Sequence, residues 1–139
     1  MVKLIDANNL ILGRVASYVA KKSLNGEQFI IINCEKAVIS GSKKAVFEIY
    51  KAKIDRGEPF KGPFFPKRPD MLFKRTIRGM LPYKQEKGRK ALRRIKVFIG
   101  EPKLDNLPKP IDLKEMNVNK LKLSKYIKVG ELCKLLGWK

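Results

Sequence analysis

Apolar residues first gather at Val2, Leu4 and Ile5, a short β-rich run. Behind it Leu12, Val15, Ala16, Val19 and Ala20 recur at i, i+3, i+4, i+7 and i+8, the period of one helix face. Asn25-Gly26 follows, and residues that tolerate left-handed geometry stop helices. Phe29-Ile30-Ile31-Ile32 is apolar throughout and rich in β-branched side chains, which predicts a strand covered on both faces. The opening is therefore β-α-β. Ala37-Val38-Ile39 predicts another short strand. Ser40-Gly41-Ser42 then turns the chain into a second helix running to about Ile54, with Val46, Ile49 and Tyr50 on its buried side and Gly57 as its stop. Strands alternating with helices predict an α/β fold, a mostly parallel sheet with helices on both faces joined by right-handed crossovers. Lys96-Val97-Phe98-Ile99-Gly100 supplies one more strand.

Residues 60–96 break this pattern, starting with Phe60-Lys61-Gly62-Pro63-Phe64-Phe65-Pro66-Lys67-Arg68-Pro69. Pro63, Pro66, Pro69 and Pro82 make continuous sheet implausible here, because proline cannot donate to a ladder. Two short helices fit instead, Asp70 to Gly79 and Lys84 to Arg94, bent at Gly79-Met80-Leu81-Pro82. Phe73, Ile77, Met80 and Leu81 would line the buried side of the first, leaving Lys74, Arg75 and Arg78 together elsewhere. After Gly100, Pro102, Pro108 and Pro110 predict an irregular C-terminal region. Leu132, Leu135 and Leu136 mark a last short helix before Gly137-Trp138.

At 139 residues the chain has the length of one domain with its own core, covering residues 1–139. Charge then changes the picture. The 32 Lys+Arg outnumber the 13 Asp+Glu, a net charge of +19, and self-repulsion on that scale is relieved by a polyanionic partner. Nucleic acid is the leading partner, ahead of an anionic membrane surface or a merely solvated basic face. The excess is uneven: residues 61–96 hold 13 of the basic side chains and only Asp70 and Glu86 among the acids. Six of the eight arginines lie there, Arg68, Arg75, Arg78, Arg89, Arg93 and Arg94. Guanidinium forks match phosphate oxygens in pairs, whereas lysine acts more as a point charge. Arg89 with Arg93, and Lys90 with Arg94, fall at i, i+4, a like-charge spacing that weakens an isolated helix and that a bound phosphate backbone would reverse. The candidate RNA-binding residues are Lys61, Lys67, Arg68, Lys74, Arg75, Arg78, Lys84, Lys87, Arg89, Lys90, Arg93 and Arg94, with Lys43 and Lys44 at the start of the second helix.

Phe60, Phe64, Phe65 and Tyr83 sit among these cations, where they either stack on bases or anchor the proline-rich loop to the core; anchoring is the preferred reading. Gly62, Gly79 and Gly88 either admit a sugar-phosphate backbone or relieve local crowding.

Candidate catalytic chemistry is sparse. No histidine is present, which removes the usual neutral-pH base and the commonest zinc ligand. Cys34 and Cys133 form no metal-ligand spacing and are expected to be reduced and buried. The turn Ser40-Gly41-Ser42-Lys43-Lys44 resembles a phosphate cradle, but it lacks the glycine spacing of a Walker loop, and no Gly-x-Gly occurs. Ser42 reads better as a helix N-cap. A nucleic-acid-processing or nucleotide-binding α/β enzyme using this turn is the alternative from another class, and a free regulator of messenger RNA is a third reading. The N-terminal residues lack a signal-peptide core and no run approaches a membrane span, so the expectation is a soluble, cytoplasmic protein without a membrane partner.

Several of these segments carry a resemblance. Ile11-Leu12-Gly13-Arg14-Val15-Ala16-Ser17 after an early Asp6, then Val38-Ile39-Ser40-Gly41, Gly79-Met80-Leu81-Pro82, and Gly88-Arg89 leading to Leu92 and Lys96-Val97 are similar to the L-thirteen family of large-subunit ribosomal proteins. The likeness runs in order from about residue 3 to residue 138. Pro63-Phe64-Phe65-Pro66-Lys67-Arg68-Pro69 and Tyr83 resemble its archaeal and eukaryotic branch, and the short chain favours the archaeal side. The resemblance implies a three-layer α/β domain, no enzymatic activity, no cofactor and no small-molecule substrate. It also implies a structural role in binding and organising large-subunit ribosomal RNA during assembly, with neighbouring ribosomal proteins as further partners. The family's basic segment corresponds to residues 61–94. Lys128 stands where relatives often place a capping threonine or serine.

Overall fold

A computed structural model describes residues 2–56, 60, 65–103, 107–120 and 125–138. Strand β1 (Val2–Asp6), helix α1 (Leu12–Leu24) and strand β2 (Gln28–Ile32) form the predicted β-α-β opening. Leu12, Val15, Ala16, Val19 and Ala20 are all buried, as their spacing predicts. Lys21 and Lys22 occupy the last turn of α1, where cations complement the helix dipole, and Gly26 at φ +98° turns the chain away.

Strand β3 (Val38–Ser40) leads into α2 (Lys43–Asp55), followed by α3 (Pro69–Gly79), α4 (Glu86–Arg93), β4 (Ile95–Val97), β5 (Tyr126–Lys128) and α5 (Val129–Leu135). The parallel sheet has the order β1-β2-β4. Its registers pair Ile5 with Ile31, Phe29 with Ile95 and Ile31 with Val97, so these side chains share one face. Ile5, Phe29, Ile31 and Ile95 join the core there with the buried sides of α1, α3 and α4. On β2 Phe29, Ile31 and Ile32 are buried, Ile30 is partly exposed and Gln28 is exposed. Pro110 and Ile111 lie along the outer edge of β1, where the Ile111 N–H donates to the Leu4 carbonyl at 2.9 Å.

Strand β3 does not join this sheet. It pairs antiparallel with β5, with Ile39 opposite Ile127, and α2 and α5 pack around that second sheet. Strand β5 has no sequence signature because only Ile127 of its three residues is buried. Two further expectations are corrected. Ile49 is 57% exposed, because the buried side of α2 is set by Val46, Phe47, Tyr50 and Ile54, and Ile49 lies around the helix from their mean direction. Met80 is 44% exposed because α3 has ended there, and Leu72 takes the buried place instead. The last short helix forms as expected, with Leu132 and Leu136 buried and Leu135 facing solvent. The expected stop of α2, Gly57, lies outside the described residues.

The basic segment is therefore no appendage. Leu72, Phe73 and Ile77 of α3 and Ala91 of α4 are fully buried, and full burial of a Leu, Ile or Phe side chain contributes about 1.5–3 kcal/mol. Phe73→Ala should cost about 3–5 kcal/mol in urea or thermal unfolding, while Met71→Ala on the exposed side of the same helix should stay within about 0.5 kcal/mol.

Cys34 and Cys133 are free thiols and both buried. Burial pushes Cys133 up to about 12 and Cys34 higher still, with the Glu35 charge adding to the effect at Cys34. Above a pH of about 9 the unfolded chain loses thiol protons that the folded chain retains, so stability falls as pH rises through this window. Unfolding free energies measured from about pH 8.5 to 10.5 should decline, and Cys133→Ala should flatten that decline.

Candidate nucleic-acid interface

Helix α3 starts on Pro69 at its first position, where the missing N–H costs nothing, with Asp70 in the first turn facing the positive end of the dipole. Pro69, Leu72, Phe73 and Ile77 turn inward. Geometry then leaves Met71, Lys74, Arg75 and Arg78 on the outer side. Lys74, Arg75 and Arg78 do come together, lining a groove of about 200 Å³ with Pro66, Met71 and Leu92. Among the described residues no carboxylate lines it. Burial first, and the adjacent Arg78 charge second, hold the Arg75 guanidinium below its ordinary value.

Aromatic rings orient both guanidiniums. Arg78 lies 4.3 Å from the centre of the Tyr83 ring, and Arg75 lies 5.7 Å from that of Phe65. Such contacts contribute about 0.5–1 kcal/mol at exposed sites and leave the N–H edges free. Phe65 also meets Tyr50 of α2 edge-on at 5.9 Å, with Lys53 5.7 Å from the Phe65 ring centre. It thus ties the proline-rich loop to α2 and α3, in line with the anchoring reading. Phe60 is 94% exposed. Phe64, Lys61 and Gly62 lie outside the described residues.

Helix α4 buries only Gly88 and Ala91, the two residues small enough to let its backbone settle on the bend before it. A Cβ at Gly88 would sit 2.0 Å from the Pro82 carbonyl oxygen. Gly88 therefore relieves crowding, whereas a Cβ at Gly79 would meet nothing within 4 Å. Lys87, Arg89, Lys90 and Arg93 point to solvent as a result. Glu86 in the first turn and Lys90 and Arg93 in the last complement the dipole.

Not all candidate cations are equally available. Lys90 bonds Glu86 at 3.3 Å, Arg68 bonds Asp70 at 3.3 Å, and Lys43 bonds Glu131 at 2.8 Å. Such exposed pairs are worth about 0–1 kcal/mol and open readily to a phosphate. Arg94 is engaged more firmly, its Nη1 donating to the Ser23 carbonyl at the end of α1 at 2.8 Å. This removes the like-charge conflict expected between Lys90 and Arg94. A methyl group at Gly137 would come 3.8 Å from the Lys67 Nζ, which places that ammonium beside the C-terminal end of α5. Among the described residues Lys44, Lys74, Arg75, Arg78, Lys84, Lys87, Arg89 and Arg93 have no carboxylate partner. Lys96, absent from the sequence candidates, joins them. It lines a second groove of about 340 Å³ with Lys74, and only the packing of α3 beside β4 brings the two together.

The turn at Ser40–Ser42 is occupied by structure. Gly41 adopts φ +120°, and the Ser42 hydroxyl accepts the Ala45 N–H at 3.2 Å as the N-cap of α2. Asp6 likewise holds the strand ends, its Oδ1 accepting from Asn33 Nδ2 at 3.0 Å and from the Asn8 N–H at 3.1 Å. The described residues contain no group of three His, Cys, Asp or Glu side chains placed to hold a metal, and no helix among them is long and apolar enough to cross a membrane.

An α/β core that buries one side of two helices and crowds uncompensated cations on the other defines a class, basic α/β proteins with the electrostatic footprint of a nucleic-acid face. Residues 1–104 match the family described as Ribosomal protein L13. A protein of Methanosarcina barkeri named large ribosomal subunit protein uL13 is 49% identical over 136 residues, covering 97% of each chain. Proteins of the same name from Archaeoglobus fulgidus, at 46% identity over 97% of this chain and 87% of the relative, and from Methanocaldococcus jannaschii, at 45% over 97% of each, are similar to it along nearly the whole length. The chain belongs to the ribosomal protein L13 family.

Two glycine substitutions separate packing from charge in this region. Gly88→Ala should lower the unfolding free energy by at least about 1–3 kcal/mol, since backbone has to move to admit the methyl group. Gly79→Ala, placed in open helical space, should be neutral or stabilising by up to about 1 kcal/mol in the same thermal scan.

Proposed function

We propose that this protein is a structural, non-enzymatic constituent of the large ribosomal subunit in the cytoplasm. It binds and organises large-subunit ribosomal RNA during assembly and contacts neighbouring ribosomal proteins. Its membership of the ribosomal protein L13 family supports the ribosomal role. The observation that carries the RNA-binding face is the outward set of Lys74, Arg75, Arg78, Lys84, Lys87, Arg89 and Arg93, unopposed by carboxylates among the described residues.

Affinity comes mainly from phosphates. Each cation seated on a phosphate releases a condensed counterion, so binding falls steeply as salt rises. Specificity comes from RNA shape, since the deep A-form major groove hides base edges from side chains. The buried sides of α3 and α4 hold the backbone that carries the cations in a fixed array, so little backbone entropy remains to be lost on binding. Lys67, Arg68, Lys90, Lys43 and Lys44 extend this face at its margins, and Arg94 serves chiefly to hold α4 to α1.

Filter binding or anisotropy against a large-subunit ribosomal RNA fragment tests the reading. Arg75, Arg78, Arg89 and Arg93 changed together to Ala should weaken binding and reduce the slope of log K against log salt by about 0.7–0.9 for each phosphate left without its cation. An unchanged slope in a variant that still folds would place the RNA face elsewhere.

A further inference from the structure

The groove between α3 and α4 is built differently from a plain phosphate site. Pro66, Met71 and Leu92 make an apolar lining, and Lys74, Arg75 and Arg78 supply all of its charge. Met71 is 52% exposed, an apolar side chain held at the surface beside three cations. Phosphates alone have no use for such a lining. A duplex RNA backbone would contact the cations and leave the apolar surface wet.

We propose that this groove receives a single unpaired base extruded from the RNA, with the flanking phosphates held by Arg75 and Arg78. This rests on the RNA-binding face proposed above and names the RNA feature that the face selects. A volume of about 200 Å³ has room for one flat nucleobase. Charge complementarity favours RNA over a protein side chain as occupant, because the lining offers three cations and no acid. The guanidinium planes, already held against Tyr83 and Phe65, present their N–H edges toward the sugar-phosphate strand that enters with the base. Proteins that read RNA by sequence commonly do so at bulges and loops, where a base can be splayed from its stack and inserted beside apolar and guanidinium surfaces.

The test uses the full-length protein and two RNA hairpins of equal length, one with a single bulged adenine and the other with an abasic residue at the same place. Wild-type protein should bind the adenine hairpin about tenfold more tightly, the scale of burying the apolar surface of one base. Met71→Ser should bring that ratio close to one, and Met71→Leu, which keeps the apolar contact, should preserve it. Equal binding of the two hairpins by wild type, or a ratio untouched by Met71→Ser, overturns the inference and leaves the groove to a protein side chain. Failure of the underlying RNA reading looks different, since both hairpins would then bind weakly and without salt dependence.

Discussion

Segments as basic as residues 61–96 do not hold together by themselves, and here the holding is done by three side chains. Leu72, Phe73 and Ile77 anchor α3 beneath α1 and beside β4, with no solvent access at any of the three. Their burial offsets the mutual repulsion of the cations on the other side of the helix. Without it the segment has the composition of a disordered polycation, which binds RNA only by losing its chain entropy at that moment. With it, charge becomes geometry. Helix α4 depends on the same anchoring at one remove, because its place is fixed by the contact of Gly88 with the Pro82 backbone immediately after α3.

A second layer of order acts on the guanidiniums. Phe65 and Tyr83 hold the planes of Arg75 and Arg78, and Phe65 is itself fixed by Tyr50. The result is a face whose charges are positioned from below by apolar packing and from the side by rings. Arg94 shows the contrasting use of the same residue type. Donating to the Ser23 carbonyl, it neutralises the negative end of α1 and fastens α4 to it.

Local patterns in the sequence carried much of this. The α1 stripe was legible because five apolar residues fell at helical spacing with a glycine stop, and the arginine concentration pointed to the segment that presents the cations. What stayed hidden depended on partners remote in sequence. The antiparallel partner of β3 was invisible because Tyr126-Ile127-Lys128 buries a single side chain. Ile49 and Met80 misled because apolar character does not reveal which side of a helix the neighbours will cover. The inward turn of Arg94 could not be read, since its acceptor is a main-chain carbonyl 71 positions away. Lys96 was overlooked for a related reason, as its place beside Lys74 exists only once α3 lies next to β4.

Strand β2 is central in the parallel sheet, yet its partners arrive at very different times. Strand β1 precedes it by one helix, whereas Ile95, the partner of Phe29, is made about 66 residues later. During synthesis one edge of β2 therefore stays open until α2, α3 and α4 have all emerged. Non-local parallel pairing of this kind closes slowly, and an open apolar edge invites association with other chains. Helices α3 and α4 emerge just ahead of β4, so their cations are exposed while that edge is still open, and their repulsion keeps unfinished chains apart. The same charges thus guard the protein's solubility before they have any RNA to meet.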